Sequence, residues 1–240
     1  MADFRKEKCL NDRLLTETVY HFKKRVYEYA RERRAKSLPD EVSIKDSSKV
    51  LEIGCGARFT YRVDREVEVY GLDIVPDMIH FLKKRHPALC GIVGSALHLP
   101  FKDDSFNLLV ANALLHHLVG KSPSDCIENI RVALEEMNRV VKRNGFVLVR
   151  ELISRSRVFS YFMFYVTYIC AKLGIEINWL DIHDKVIVFF MDKRTFNELS
   201  LKAKFKVKEV ESEKWVFRFG RFGIKLGEQI TFLLTPKHHT

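Results

Sequence analysis

The stretch KVLEIGCG, residues 49–56, decides the fold of this chain. Its apolar residues predict a short buried strand, and its two glycines predict a tight turn directly after that strand. Further along, the strand VEVYGLDI, residues 67–74, carries Asp73 near its end. Ligands of parallel sheets bind at the carboxyl ends of the strands, and glycines there let a ligand come close to the backbone. A carboxylate at the same edge can accept hydrogen bonds from both hydroxyls of a ribose. The two segments together predict a nucleoside site.

Outward from that stretch, strands and helices alternate along the chain. The apolar periodicity predicts helices over 76–86, 123–142 and 192–205, and strands over 90–96, 106–114, 145–152, 206–212 and 228–236. Ser122 is predicted to cap the long helix, and Asn144-Gly145 is predicted to end it. Such alternation predicts an α/β fold, a doubly wound, mostly parallel seven-stranded sheet with helices on both faces, whose last two strands form an antiparallel edge.

The chain of 240 residues, 47% of them hydrophobic, predicts a single domain with one core. Within it, residues 1–48 are interpreted as an N-terminal extension with an amphipathic helix over 11–35, and residues 49–152 as the cofactor-binding core. Residues 153–191 are longer than a simple crossover requires, so we expect a helical cap over the substrate there. Residues 192–240 supply the last helix and the edge strands.

The composition bears on disulfides, metal sites, cellular location and binding partners. The five cysteines are odd in number and never form a CxxC pair, so we predict neither a disulfide framework nor a metal site. The N-terminus lacks the apolar core of a secretory signal, and the longest uncharged stretch, residues 158–171, is shorter than a membrane span, which together indicate a cytoplasmic protein. A net charge of +10 favours anionic partners.

A dinucleotide is the first alternative for the nucleoside. Its fingerprint needs a third glycine three residues after the second, where the helix packs closely and faces a pyrophosphate. Phe59 occupies that position. The glycine pattern therefore disfavours a nicotinamide or flavin enzyme.

The chain resembles the class I, Rossmann-like family of S-adenosylmethionine-dependent methyltransferases, most closely its small-molecule, quinone-biosynthesis-like branch. The resemblance covers roughly residues 49–152. Four segments match in the family's order and approximate spacing, and they are VLEIGCG (50–56), VYGLDIVPDMI (69–79), GSALHLPFKDDSFNLLVANALLHHL (94–118) and LEEMNRVVKRNGFVLV (134–149).

The resemblance implies S-adenosylmethionine as the cofactor and a set of residues that bind it. These are Glu52, Gly54, Cys55, Gly56, Asp73, Ile74, Ser95, Ala96, Asn112 and His117. Residues 52–56 would shape the loop that holds the methionine part, Asp73 would bind the ribose, and Ile74 would lie against the adenine. Ser95 and Ala96 would read the adenine edge, and Asn112 with its neighbours would face the sulfonium.

Three positions depart from the family pattern. Arg58 stands where a third glycine is common, Ser95 replaces an adenine-binding aspartate, and Asn107 replaces the aspartate of a frequent Phe-Asp-Leu sequence. A neutral hydroxyl makes a weaker hydrogen bond than a carboxylate, by about 1 kcal/mol. The interval from Gly56 to Asp73 is also short, which implies a truncated first helix.

The sequence does not identify the catalytic residues. His116 and His117 follow the fourth strand of the core, where an imidazole can act as a general base, although packing is the commoner role. His117, His183 and Tyr161 are unranked candidates for a base. The aromatic run over 161–168 is interpreted as core packing, as a lid over an apolar acceptor, or as a membrane-interface helix with Arg155, Arg157 and Lys172 near phosphates.

The resulting hypothesis is transfer of a methyl group to a small, apolar or lipid-like acceptor by in-line displacement. The first alternative is an RNA methyltransferase that uses the basic clusters at 23–25, 31–34 and 202–208. The second is a non-catalytic binding module. Peripheral membrane contact is a further option, and the sequence does not decide the oligomeric state.

Overall fold

A computed structural model describes residue 23 and residues 35–63, 65–177, 186–219 and 222–237. The strands, numbered in chain order, are β1 (Lys36–Ser37), β2 (Lys49–Ile53), β3 (Tyr61–Arg62), β4 (Glu68–Asp73), β5 (Cys90–Val93), β6 (Phe106–Asn112), β7 (Val141–Ser154), β8 (Phe205–Phe219) and β9 (Phe222–Pro236). The helices are α1 (Pro76–Arg85), α2 (Pro123–Val140), α3 (Arg157–Leu173) and α4 (Lys193–Lys202), with a 3-10 turn at Leu115–His117.

Within the described residues, the main sheet has seven strands in the order β5-β4-β2-β6-β7-β9-β8. The first five are parallel neighbours, whereas β9 pairs antiparallel with both β7 and β8. Parallel strands need crossovers and antiparallel strands need only a tight turn, so the order follows from the alternating pattern of the sequence. The predicted α/β architecture and its antiparallel edge are confirmed.

Helices cover both faces of the sheet. On one face, α2 buries its apolar stripe against β2, β6 and β7 in the largest core cluster. The Ser122 hydroxyl caps α2 by accepting from the backbone N–H of Asp125 at 3.2 Å, as the sequence predicts. On the other face, α1 packs Ile79 and Leu82 against Cys55, the residue that follows β2 by two positions.

The crossover from β2 to β4 differs from the expected truncated helix. Its described residues, 54–63 and 65–67, form turns and the two-residue strand β3, which pairs in parallel with β1. Fourteen residues join Ile53 to Glu68, which is close to the minimum for a crossover, so little chain remains for a helix. Beneath this crossover, a cavity of about 470 Å³ lies on the sheet face. Its lining includes Val50, Val69 and Leu108.

The end of the long helix also differs from the sequence prediction. α2 stops at Val140, two residues before the expected end, and β7 begins at Val141, which is buried and pairs with Phe106. Gly145 therefore lies inside a strand. A side chain at Gly145 would come within 2.9 Å of the carbonyl oxygen of Asn107, so close packing requires this glycine, not a helix cap.

After β7, residues 157–173 form α3, and residues 186–191, which have no regular structure, lie beside the carboxyl end of β7. The backbone of Met191 accepts from Ser154, and the backbone of His116 accepts from Phe189, both at 3.0 Å. These bonds fix the segment beside the 3-10 turn. Among the described residues, no helix is long and apolar enough to cross a membrane. Of the predicted helix over 11–35, only residues 23 and 35 are described, and the candidate base His183 lies outside the described residues.

Candidate cofactor and acceptor site

Asp73 ends β4 at the carboxyl edge of the sheet and is 8% exposed. Its Oδ2 accepts from the backbone N–H of Gly56 at 2.8 Å, and its Oδ1 accepts from that of Val75 at 2.9 Å. Burial raises the pKa of Asp73, and these N–H groups oppose the rise. Each carboxylate oxygen has a second lone pair, so the group can still accept from two hydroxyls.

The loop after β2 adopts the conformation that its glycines predict. Gly54 and Gly56 both have left-handed backbones, with φ of 66° and 57°. A Cβ on Gly54 would come within 2.7 Å of the Leu114 side chain, whereas the space around a Cβ on Gly56 holds no other described atom within 4 Å. Gly54 therefore serves packing, and Gly56 leaves open space beside Asp73 where a ligand can approach the backbone.

The buried Glu52 side chain stabilises this loop through hydrogen bonds to Thr60. Its carboxyl group is 4% exposed and accepts from the Thr60 hydroxyl at 2.5 Å and from the Thr60 backbone N–H at 2.9 Å. Burial raises the pKa of Glu52 from 4.5 to about 7, and the bonds from Thr60 oppose that rise. The side chain thus fixes the loop through Thr60, whose two donors it occupies.

Asn112 ends β6, beside β2, and carries an unusual feature. Its Oδ1 is buried and has no hydrogen-bond partner among the described residues. Ala113 follows with a left-handed backbone, φ 52°, and its N–H donates to the carbonyl of Arg150 at 2.8 Å. A buried acceptor without a donor costs free energy, so Asn112 fits a ligand that brings an N–H or O–H group.

The remaining predicted cofactor residues lie around the same edge in different orientations. Cys55 turns its side chain into the core beside α1, so only its backbone faces outward, and burial raises the pKa of its thiol. Ile74 packs partly buried against Val75. The Ser95 hydroxyl accepts from the Leu97 N–H at 3.2 Å, which leaves one further lone pair for an adenine amino group.

Ala96 has its side chain in the main core, so its backbone is the part that can meet a ligand. His117 is half-buried on the 3-10 turn, and its ring lies 4.1 Å from that of His116. Of the departures from the family pattern, Asn107 has a structural role at the amino end of β6. Its Oδ1 accepts from the Lys49 N–H and the Lys142 ammonium, each at 3.0 Å.

Beside Asn112, a buried imidazole–carboxylate pair joins the 3-10 turn to β7. Nδ1 of His116 lies 2.5 Å from Oε1 of Glu151, which is fully buried. Glu151 also accepts from the backbone N–H groups of Leu115 at 2.7 Å and Leu152 at 2.8 Å. A carboxylate that accepts from Nδ1–H leaves Nε2 as the ring nitrogen that can take a proton.

Sequence reasoning missed Glu151 as part of this site. The available signal was a single acidic residue within the apolar strand GFVLVRELI. A carboxylate rarely lies in a buried strand unless its oxygens are paired. The partner could not be identified from the sequence because 35 residues separate His116 from Glu151.

Aromatic rings of α3 and of residues 186–191, both within the predicted cap, lie on this side of the pair. Phe190 lies 5.2 Å from the His116 ring, and Tyr161 of α3 lies 6.2 Å from Phe189. The Tyr161 hydroxyl accepts from Arg157 at 3.2 Å. An apolar enclosure around one imidazole suits a small organic acceptor.

The geometry at this edge agrees with what sequence comparison finds. The profile of the family described as "Methyltransferase domain" matches residues 51–149, which contain Gly54, Gly56, Asp73, Asn112 and His116. Residues 51–149, which are less than half of the chain, are therefore a methyltransferase domain. The family match confirms the predicted enzyme class, a methyltransferase, for this domain. Asn112 and the open space at Gly56 fit S-adenosylmethionine, the cofactor that the resemblance implies.

Individual relatives agree with this assignment. The demethylmenaquinone methyltransferase of Lysinibacillus sphaericus is 32% identical over 157 residues, which are 58% of this chain and 63% of that protein. This match confirms the resemblance to the quinone-biosynthesis-like branch. The chain spans only 40% of the length of the first two curated relatives that it matches, so the activity of the whole protein is a proposal.

Solved structures support the fold. The YcgJ protein of Bacillus subtilis superimposes with a TM-score of 0.63 at 14% identity, covering 82% of this chain and 95% of that one. A methyltransferase described as SAM-dependent, from Methanosarcina mazei, superimposes with a TM-score of 0.57 at 18% identity, covering 81% and 95%. The shared part includes most of this chain, so its fold is that of this class.

Proposed function

We propose that the chain transfers the methyl group of S-adenosylmethionine to a small, apolar, lipid-like acceptor. The observation that carries this proposal is the buried His116–Glu151 pair. Glu151 follows Arg150, which pairs with Asn112 across the sheet, and the His116 ring lies 5.2 Å from that of Phe190. An acceptor bound beneath Phe190 would meet both a proton acceptor and the cofactor. The relative named for demethylmenaquinone supports an organic acceptor of this kind.

Bound S-adenosylmethionine would supply an electrophilic methyl group on a positively charged sulfur. Asp73 would hold the ribose hydroxyls, Gly56 would allow close approach of the backbone, and Asn112 Oδ1 would accept a hydrogen bond from the ligand. These contacts would align the methyl group for in-line attack by the acceptor, with the bonding electrons leaving on sulfur. The enclosed cap would exclude water.

We assign His116 as the general base and Glu151 as the residue that positions it. The acceptor would lose its proton to Nε2 of His116 as its new bond to the methyl carbon forms. Glu151 would hold the ring in the tautomer with hydrogen on Nδ1 and would stabilise the imidazolium that results. This role favours acceptors with a removable proton, such as a hydroxyl group or an acidic C–H group.

Calorimetric titration with S-adenosylmethionine, its demethylated product and NADH tests the cofactor assignment. Binding of both sulfur compounds but not of NADH is expected. Asp73→Ala should weaken that binding by on the order of 100-fold or more, because two hydrogen bonds to a carboxylate are lost. Asp46→Ala, which removes an exposed carboxylate before β2, is the matched control and should bind normally. Failure of the wild-type protein to bind either sulfur compound would leave the non-catalytic alternative.

An acceptor screen then tests the substrate class. Methyl transfer from radiolabelled cofactor should reach apolar phenols or quinols in preference to RNA. The RNA alternative depends on basic clusters, of which the described one, residues 202–208, includes Lys208 paired with Glu41 at 3.0 Å. Salt-sensitive labelling of RNA, and none of apolar acceptors, would favour that alternative instead.

A further inference from the structure

α3 carries a continuous apolar surface on its outer side. Val158 is 81% exposed, and the other members of this surface are between 51% and 65% exposed. We call it the outer face of α3, and its residues are Val158, Phe162, Tyr165, Ile169 and Leu173. The spacing of four, three, four and four residues places them within an arc of about 80° along roughly 22 Å of helix. Single exposed apolar residues are ordinary, but a contiguous row of five is not.

On the opposite side of the helix, two small polar residues are buried and hydrogen-bonded to the rest of the protein. Ser160 and Thr167 are almost fully buried, the first bonded to the Ser154 hydroxyl at 2.6 Å. The Thr167 hydroxyl accepts from the Val188 N–H at 3.3 Å. These specific bonds fix the rotation of α3 about its axis, so the outer face cannot turn inward without breaking them.

The charged side chains of α3 and of Arg155 before it are all cationic, and the next acidic residue along the chain is Glu176. From residue 155 to residue 175 the chain contains three cationic side chains and no acidic one. Arg155 and Arg157 lie at the start of α3, Lys172 lies at its end, and all three are exposed. Two copies of the chain paired through this face, in either direction, would bring these cations together. Charge complementarity therefore favours an anionic surface over a second copy.

We propose that the outer face of α3 docks into the interface of an anionic lipid bilayer. The helix would lie in the plane of the membrane, with its apolar row among the acyl chains and its terminal cations near lipid phosphates. Docking itself is independent of the proposed methyl transfer. It has a consequence for that reaction, because Tyr161 and Phe164, on the inner side of the same helix, pack against Phe189 of the cap. An apolar acceptor would then enter from the bilayer.

Vesicle flotation tests this proposal directly. The full chain is mixed with vesicles of phosphatidylcholine alone or of phosphatidylcholine with phosphatidylglycerol, and the bound fraction is measured at low and high salt. We expect binding to the anionic vesicles that falls as salt rises. Phe162→Ser with Ile169→Ser should reduce that binding by about tenfold or more. Leu201→Ser, which alters a 50% exposed leucine of α4 outside this face, should not.

Two further measurements keep the outcomes separate. Cofactor titration of the double variant shows whether it folds, and Arg155→Gln with Lys172→Gln should remove the preference for anionic vesicles while leaving the apolar row intact. Absence of wild-type binding, or unchanged binding of the double variant, would overturn the proposal. A wild-type dimer that the double variant dissociates, without vesicle binding, would overturn it in favour of a protein interface. If the wild-type protein binds the cofactor but not the vesicles, membrane docking is refuted and the proposed methyl transfer is not.

Discussion

Replacing Glu52 with glutamine should make the protein more stable at neutral and alkaline pH than the wild type. Glu52 is buried, and burial raises its pKa from 4.5 to about 7. Between these two values the folded protein binds more protons than the unfolded chain, so wild-type stability falls as the pH rises. A difference of about 2.5 pKa units corresponds to about 3 kcal/mol of folding free energy, fully lost above the folded pKa.

Glutamine has nearly the same shape, can accept from the Thr60 N–H and does not ionise. The unfolding free energy of Glu52→Gln minus that of the wild type should therefore increase by about 2 to 3 kcal/mol from about pH 5 to about pH 8. Urea denaturation followed by circular dichroism measures this difference, and the other titrating groups cancel because both proteins share them.

Glu68→Gln is the matched control for this experiment. The Tyr70 hydroxyl bonds to Glu68 and lowers its pKa, so ionisation of Glu68 affects stability at pH values below the range studied. Its stability difference from wild type should stay level where that of Glu52→Gln rises. A level profile for Glu52→Gln would refute the conclusion that this carboxyl is buried without adequate compensation for its charge.

Three further outcomes follow from the site. His116→Gln should lower kcat by about 100-fold or more while the Kd for S-adenosylmethionine stays within about threefold, and His117→Gln should change kcat far less; equal effects on kcat would remove the assignment of His116 as the base. Glu151→Gln should lower kcat, alter its pH profile and reduce stability by roughly 1 to 3 kcal/mol, because its amide would face the N–H of a neighbouring backbone; an unchanged pH profile would indicate a purely structural role. Gly54→Ala should destabilise the fold by more than Gly56→Ala does, since both backbones are left-handed but only the first meets a side chain, Leu114, in thermal denaturation of the two variants.

Much of the fold follows from local pattern. Alternating apolar strands and amphipathic helices predict the sheet and its antiparallel edge, and Ser122 predicts the start of α2. The predicted end of α2 was wrong because Asn144-Gly145 has the composition of a helix cap, whereas the helix ends at Val140. Pairing of Val141 with Phe106 across the sheet determines where the helix stops, and that contact joins residues distant in the chain.

The site was predicted in part for the same reason. Gly54, Gly56 and Asp73 belong to short motifs whose chemistry can be recognised from residue type and spacing, and the structure brings them to one edge. The roles of the predicted cofactor residues remain predictions until binding is measured. The aromatic run of the cap left three interpretations open, and the structure turns Tyr161 inward and Phe162 outward.

The sequence by itself determined the class of fold and predicted the methyltransferase domain and a nucleoside site, because strand periodicity, glycine turns and a carboxylate at a strand end are local properties. Only the tertiary structure decided that Glu151 holds His116, that Asn112 has a buried oxygen without a partner among the described residues, and that α3 presents an apolar row outward. Each of these depends on which distant segments approach one another. Burial and pairing are properties of the packed chain, and no spacing along the sequence specifies them.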